Sequence, residues 1–407
     1  MTAAEPLAIG PATQTWRIDR IDALRGLALL GILQVNIQSF TWGAGEALGY
    51  LSQPPGVVES TLYFLQAAFF EGKFYPIFAF LFGVGIALQT RKLRRRYRTE
   101  ASAATNIHRR RLRFLFVLGL AHGFLLYCGD VLSAYAICGL AFLAFAPTRL
   151  RSLTKLAVGL GGLAALSLFL PVILLAVLDA GEAGDEIPQS IVQAHFIYCH
   201  EGFFAQMGQR ALDELWQQIA SIPTFWPLVL ALLALGALAG RLGWLQHPRR
   251  HPTVWRRAGA IGLAAGLPLA LLGAAMSVSR ARNAPGPDSG WEDVVVGASS
   301  LLSAAYVAGA VHAFDRPWGR GAMRWLASAG RLSLTNYVGQ SLLMGALLSG
   351  WGLGLGASAS RTQLTGLALL IFAGQVAMSR WVLANFRQGP LEALWRRWTY
   401  RSEGLAR

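Results

Sequence analysis

The chain has 407 residues, 54% of them hydrophobic and only 14% charged, and its mean hydropathy is positive, a balance that excludes an ordinary soluble enzyme and points to an integral membrane protein. The net charge of +15 would suggest nucleic acid in a soluble chain, but here the basic residues fall in alternate loops, so a bilayer accounts for them and no nucleic-acid partner is expected. Cys128, Cys138 and Cys199 show no metal-ligand spacing, so no metal is expected, and a Cys128 to Cys199 disulfide on the outer side is one alternative.

In chain order, Arg17, Asp19, Arg20, Asp22 and Arg25 lead into an apolar helix over 21–41, long enough at about 20 residues to cross a bilayer. No small-residue cleavage site follows it, so it is expected to stay as a signal anchor. Arg25 and Asn36 are close to three full turns apart and share one face, about 16 Å from each other along the axis. Asp22 and Arg25 are placed to form a local ion pair. A polar stripe of this kind is costly in lipid, so it should face other helices or water.

An aromatic-rich segment over 57–70 is expected along the outer interface, followed by spans over 74–90, 114–128, 131–146 and 156–178. The basic stretch 91–113 reads as an inner loop, and 179–221, rich in Asp and Glu, as a small extracytoplasmic cap of amphipathic helices. Five more spans are expected over 225–240, 258–278, 294–313, 326–348 and 364–386. The fold class is therefore all-α, a polytopic membrane helix bundle of about ten transmembrane helices. Of the 36 Lys and Arg, all but Lys73, Arg210, Arg280, Arg282 and Arg361 then lie on the inner side, which puts both termini in the cytoplasm. The chain reads as a single membrane domain, 1–407, with an N-terminal half (1–178), the cap (179–222) and a C-terminal half (223–407). Arg25-Gly26 with Asn36 echoes Gly330-Arg331 with Asn336, a hint of two related halves.

Several residues in this frame are able to carry chemistry. Glu71 and Lys73 flank Gly72 just before Pro76, a charged and breakable helix mouth. His122 lies well inside a span and is the natural intramembrane base, with Asp130 eight residues on to hold its tautomer. Continuous helix would leave about 12 Å between their backbones. Tyr135 is expected in the same pocket. Near 331–341, Asn336 and Gln340 share one strip, and Tyr337 and Ser341 another; interhelical hydrogen bonds account for part of this, and a water-lined cavity accounts for it more fully.

Ile21-Asp22-Ala23-Leu24-Arg25-Gly26, Val35-Asn36-Ile37, Gly72-Lys73-Phe74, Phe80-Leu81-Phe82-Gly83-Val84-Gly85, Ala121-His122-Gly123, Gly129-Asp130-Val131-Leu132, Gly330-Arg331-Leu332-Ser333-Leu334-Thr335-Asn336-Tyr337 and Gly389-Pro390-Leu391-Glu392 resemble the YeiB family of bacterial inner-membrane proteins, whose C-terminal half is a domain of unknown function. That family is in turn similar to a wider superfamily of transmembrane acyltransferases. The resemblance implies a multi-pass protein of the bacterial inner membrane, in contact with the lipid bilayer and compatible with a homodimer.

It also implies an activity: transfer of an acyl group from cytosolic acyl-CoA, the donor, to a hydroxyl or amine of a small-molecule, glycan or lipid acceptor outside. Arg25, Asp22 and Arg331 would hold the donor; His122, Asp130 and Asn36 would be catalytic; Glu71, Lys73, Tyr135, Asn336, Tyr337 and Gln340 would meet the acceptor. The O-acyltransferase branch has a histidine where this chain has Asn36, and an amide is no base at neutral pH. Either His122 supplies the base from another helix, or the resemblance ends at the fold. The alternatives are a transporter or flippase using the same polar groups, or a non-catalytic partner whose basic segments dock other proteins or anionic lipid.

Overall fold

The computed structural model describes residues 19–42, 56–96, 101–170, 172–173, 189–283 and 291–400, and every regular element among them is helical. The N-terminal part contains α1 (Asp19–Ser39), α2 (Val57–Phe69), α3 (Tyr75–Arg96), α4 (Ala101–Leu125), α5 (Leu132–Phe145) and α6 (Leu150–Ser167). Two helices of the acidic segment follow, α7 (Gln189–His200) and α8 (Phe203–Ser221). The C-terminal part contains α9 (Phe225–Leu242), α10 (Pro252–Ile261), α11 (Leu267–Asn283), α12 (Trp291–Ala298), α13 (Leu302–Asp315), α14 (Pro317–Arg331), α15 (Ser333–Leu348), α16 (Arg361–Asn385) and α17 (Pro390–Tyr400).

Five helical stretches among the described residues are long and apolar enough to cross a membrane: Tyr75–Leu93, Phe225–Leu242, Pro252–Arg282, Val294–Asp315 and Arg361–Asn385. The third of these joins α10 to α11 through a π-helical turn at Gly262–Gly266, where Gly262 and Gly266 let the backbone of α13 and its lead-in approach closely. Helices α5 and α15 have only 14 and 16 residues, short of the ~20 that a perpendicular crossing takes.

The expected basic loop over 91–113 is largely helical, because α3 continues to Arg96 and α4 starts at Ala101. The expected span over 326–348 is two helices, since α14 stops at Arg331 and α15 starts at Ser333. The cause is a distant side chain. Glu392 accepts from the backbone N–H of Leu334 (2.9 Å) and of Thr335 (3.0 Å) and from the Thr335 hydroxyl (2.6 Å), capping a fresh helix start where the donors would otherwise be orphaned.

The opening helix is the centre of the bundle. Most of α1 is buried, Gln34 and Gln38 included, and Leu24, Leu29, Leu33 and Ile37 join the largest apolar cluster with residues of α3, α13, α15 and α16. It meets α14 backbone to backbone: a Cβ at Gly26 would strike the Leu326 carbonyl, and one at Gly330 the Asp22 carbonyl. The two segments that echo each other in sequence thus pack against each other. Small residues allow this close approach, which is what holds helices together once apolar burial no longer discriminates protein from lipid.

Helix α8 is amphipathic, as the acidic segment suggested, but inverted. Gln206, Arg210 and Glu214 are buried, while Phe204, Leu212, Leu215, Trp216 and Ile219 are exposed. Polar inward and apolar outward is the arrangement of a helix against lipid rather than water.

Candidate active site

Helix α4 ends at Leu125, and both Leu126 and Tyr127 return their N–H groups to the His122 carbonyl at 2.9 and 3.0 Å. The chain then doubles back into α5. Gly119 makes room for this: a Cβ there would strike the Ser133 nitrogen and the Asp130 carboxylate. Because the link folds back rather than continuing as helix, the 12 Å expected for an unbroken helix collapses, and His122 Nδ1 lies 3.0 Å from Asp130 Oδ1.

The other ring nitrogen, Nε2, lies 2.8 Å from the Ser341 hydroxyl on α15. A carboxylate only accepts, so the neutral imidazole carries its proton on Nδ1, and Ser341 donates to Nε2. Asp130 is fixed in turn by the Ser133 N–H, 2.8 Å from Oδ2. The side chains of His122 and Asp130 are fully enclosed, and Ser341 is buried. A serine, a histidine and an aspartate in this order are the parts of a nucleophile, a base and an orienting carboxylate.

The surroundings are aromatic. The Tyr337 ring centre lies 4.8 Å from that of His122, and Tyr127 meets the imidazole edge-on at 6.4 Å. The Tyr127 hydroxyl is 2.7 Å from Ser39 Oγ at the end of α1, so α1, α4 and α15 converge here.

Helix α8 closes the site with a strip spaced by four. Arg210 donates to the Leu125 carbonyl at 3.0 Å, placing a cation at the negative end of α4. Glu214 accepts from the Asp130 N–H at 3.4 Å. Gln218 donates to the Asp130 carbonyl (3.0 Å), the Ser133 hydroxyl (3.2 Å) and Glu214 (2.9 Å). Burial, reinforced by the Asp130 charge, pushes the Glu214 carboxyl up to about 7. These three residues did not stand out in the sequence as site residues; the signal available was their four-residue spacing beside a lone arginine among carboxylates.

The two strips read from 331–341 are real and face different ways. Tyr337 and Ser341 turn to His122. Asn336 and Gln340 turn to α16: Asn336 donates to Ser379 (2.9 Å), Gln340 to Gln375 (2.9 Å), and Gln375 to the Asn336 carbonyl (2.9 Å). Interhelical bonding, rather than the expected water-lined cavity, accounts for this second strip.

The remaining predicted residues stand elsewhere. Tyr135 turns to α3, donating to the Tyr75 carbonyl at 2.8 Å and stacking on Phe82. Lys73 is buried and donates to the Ala67 carbonyl at 2.8 Å, capping the C-terminal turn of α2. Burial lowers its ammonium to about 8 against the opposing charge of Glu71, which is half-buried. Asp22 and Arg25 form the expected pair at 3.2 Å, beside Gly85 of α3. Arg331 is half-buried at the α14–α15 junction. Asn36 is half-buried, and among the described residues no hydrogen bond joins its side chain to the His122 group. The three cysteines are free thiols, so no Cys128–Cys199 disulfide forms.

Fold and site together define an all-helical membrane-type protein whose interior carries a serine–histidine–aspartate relay. Residues 239–402 match the family described as protein of unknown function (DUF418), which takes in Ser341 and leaves His122 and Asp130 outside. Along nearly its whole length the chain is similar to uncharacterized protein YxaH of Bacillus subtilis, 27% identical over 418 residues and 97% of each chain, and to uncharacterized protein YeiB of Escherichia coli, 29% identical over 412 residues, 95% of this chain and 97% of that one. An uncharacterized 39.9 kDa protein of Bacillus acidopullulyticus is 28% identical over 94% of each chain. These matches agree with the YeiB-like family to which the sequence motifs pointed.

Proposed function

We propose that the protein is a membrane acyltransferase that takes an acyl group from acyl-CoA and passes it to a hydroxyl or amine acceptor. In this reading it sits in a bacterial inner membrane as a bundle of about ten spans, the shorter helices completing the crossing with their neighbours. The observation that carries the reading is His122 held between Asp130 and Ser341.

Ser341 Oγ attacks the thioester carbonyl as its proton passes to Nε2 of His122, and Asp130 stabilises the imidazolium. Collapse of the tetrahedral adduct breaks the C–S bond, and CoA leaves as the thiol with the proton from Nε2. The acceptor then attacks the acyl-serine, giving its proton to the same nitrogen, and that proton restores the Ser341 hydroxyl. Enclosure keeps water from competing for the ester. Labelled acetyl-CoA added to the purified protein in vesicles tests the scheme. Ester-linked label on Ser341 and free CoA thiol, both lost in His122→Ala, are expected; no thiol release, or release unchanged in that variant, overturns it.

A second reading, proton-coupled transport, is favoured by the continuity of the enclosed groups from Ser341 through His122 and Asp130 to Glu214. Transport gives flux of an unaltered substrate, whereas acyl transfer gives a modified acceptor.

A further inference from the structure

At the N-terminal end of α1, away from the His122 relay, a cavity of about 480 Å³ opens between four segments of the chain. From Arg20 at this end to Ser39 beside Tyr127, α1 runs about 28 Å, so a ligand seated here does not touch His122.

The lining is strongly cationic. Arg20, Arg249, Arg250, Arg320 and Arg324 face it, against Asp19 and Asp315. Asp315 is already engaged: it pairs with Arg20 and lies 3.8 Å from the Arg249 guanidinium. Arg20 is further fixed over the Phe314 ring, 5.0 Å from its centre. Among the described residues Arg250, Arg320 and Arg324 make no ion pair, and all three are exposed.

Local structure aims these groups. Gly243, at φ +77°, ends α9 in the left-handed conformation that glycine tolerates, and the short turn Pro248–Arg250 presents Arg249 and Arg250. Helix α14 opens with Pro317 at its first position and sets Arg320, in its first turn, and Arg324 one turn apart on the same face.

Several planar guanidinium forks around a cavity with uncompensated positive charge match the tetrahedral, multiply charged oxygens of phosphate better than a single carboxylate. The volume suits a small molecule and not a polymer. We propose that this cleft binds a diphosphate or a comparable multiply charged phosphate group, carried either by a free nucleotide or by the headgroup of an anionic lipid. The site stands independently of the acyl-transfer reading, because its recognition needs none of the relay residues.

Titration of the purified full chain with ADP and with inorganic pyrophosphate, and native mass spectrometry from vesicles of phosphatidylcholine with and without cardiolipin, whose headgroup carries two phosphates, test it. Paired substitutions Arg320→Glu and Arg324→Glu weaken binding at least tenfold, and Arg320→Gln with Arg324→Gln several-fold, while Arg256→Glu with Arg257→Glu, on an exposed face of α10, leaves it within twofold. Nucleotide or pyrophosphate binding that follows this order assigns a free phosphate ligand. Retained cardiolipin that follows it, without nucleotide binding, assigns the headgroup. Absence of binding to every probe, or equal loss in the α10 control, overturns the proposal; unchanged thermal transitions in the glutamine variants separate lost binding from lost folding.

Discussion

Glu214 on α8 accepts the backbone N–H of Asp130 at 3.4 Å, so two carboxylates from segments 84 residues apart share one buried neighbourhood. The helix that closes the site therefore brings a second titrating group to it. Burial and the Asp130 charge hold the Glu214 carboxyl up to about 7.

A raised carboxyl penalises the folded state wherever the unfolded chain is ionised and the folded one is not. The contribution is harmless below the unfolded value of 4.5, and stability falls as pH rises from there through about 7. Glu214→Gln removes the penalty. Thermal unfolding in detergent should show the variant close to wild type at low pH and higher at pH 8, by a few degrees if the gain is ~1 kcal/mol; a variant less stable at pH 8 counts against this account.

Catalysis by the relay makes Asp130→Asn more damaging than its size suggests. The amide keeps the shape but supports the wrong imidazole tautomer. CoA release should fall by about 10⁴-fold with the thermal transition within a few degrees of wild type. Ser341→Ala should abolish the covalent label, and a label of undiminished yield would dismiss Ser341 as nucleophile.

Close packing of α1 on α14 depends on hydrogen in place of a side chain at Gly330, where a Cβ would strike the Asp22 carbonyl. Gly330→Val should destabilise by about 3 kcal/mol or more, at the upper end of the overpacking range. Gly366→Ala, in α16 with open space at its Cβ position, should stabilise slightly or not at all. Equal thermal shifts for the two would refute the packing argument.

Lys73 donates to the Ala67 carbonyl from a buried position. Lys73→Met keeps the aliphatic stem and leaves that carbonyl without its donor, at a cost of about 1–3 kcal/mol. Because burial lowers the folded-state ammonium to about 8 from 10.5, the unfolded chain binds more protons between those values, and wild-type stability relative to Lys73→Met should rise with pH across that window. Chemical denaturation at pH 7.5 and pH 10 reads the difference.

Glu392 caps α15 from outside it. Glu392→Ala should cost about 1–2 kcal/mol and speed amide exchange at Leu334 and Thr335 ahead of the rest of α15.

By itself the sequence determined the elements whose signals lie within one helix. The helical course of α1 followed from its apolar run, the Asp22–Arg25 pair from a spacing of three, and the two faces of α15 from spacings of four. Those are local consequences of 3.6 residues per turn. Only tertiary structure decided which groups meet. The link after Leu125 turns back and brings Asp130 to His122; Glu392, 58 residues from Leu334, splits what reads as one apolar run; Tyr135, placed with His122 by proximity in the chain, faces α3 instead. The cationic cleft is assembled from four separate segments, none of which is unusual alone. Helical periodicity fixes which residues share a face, but the partner of that face is chosen by packing between helices far apart in the chain, where close glycine contacts and satisfied buried hydrogen bonds outweigh any local preference.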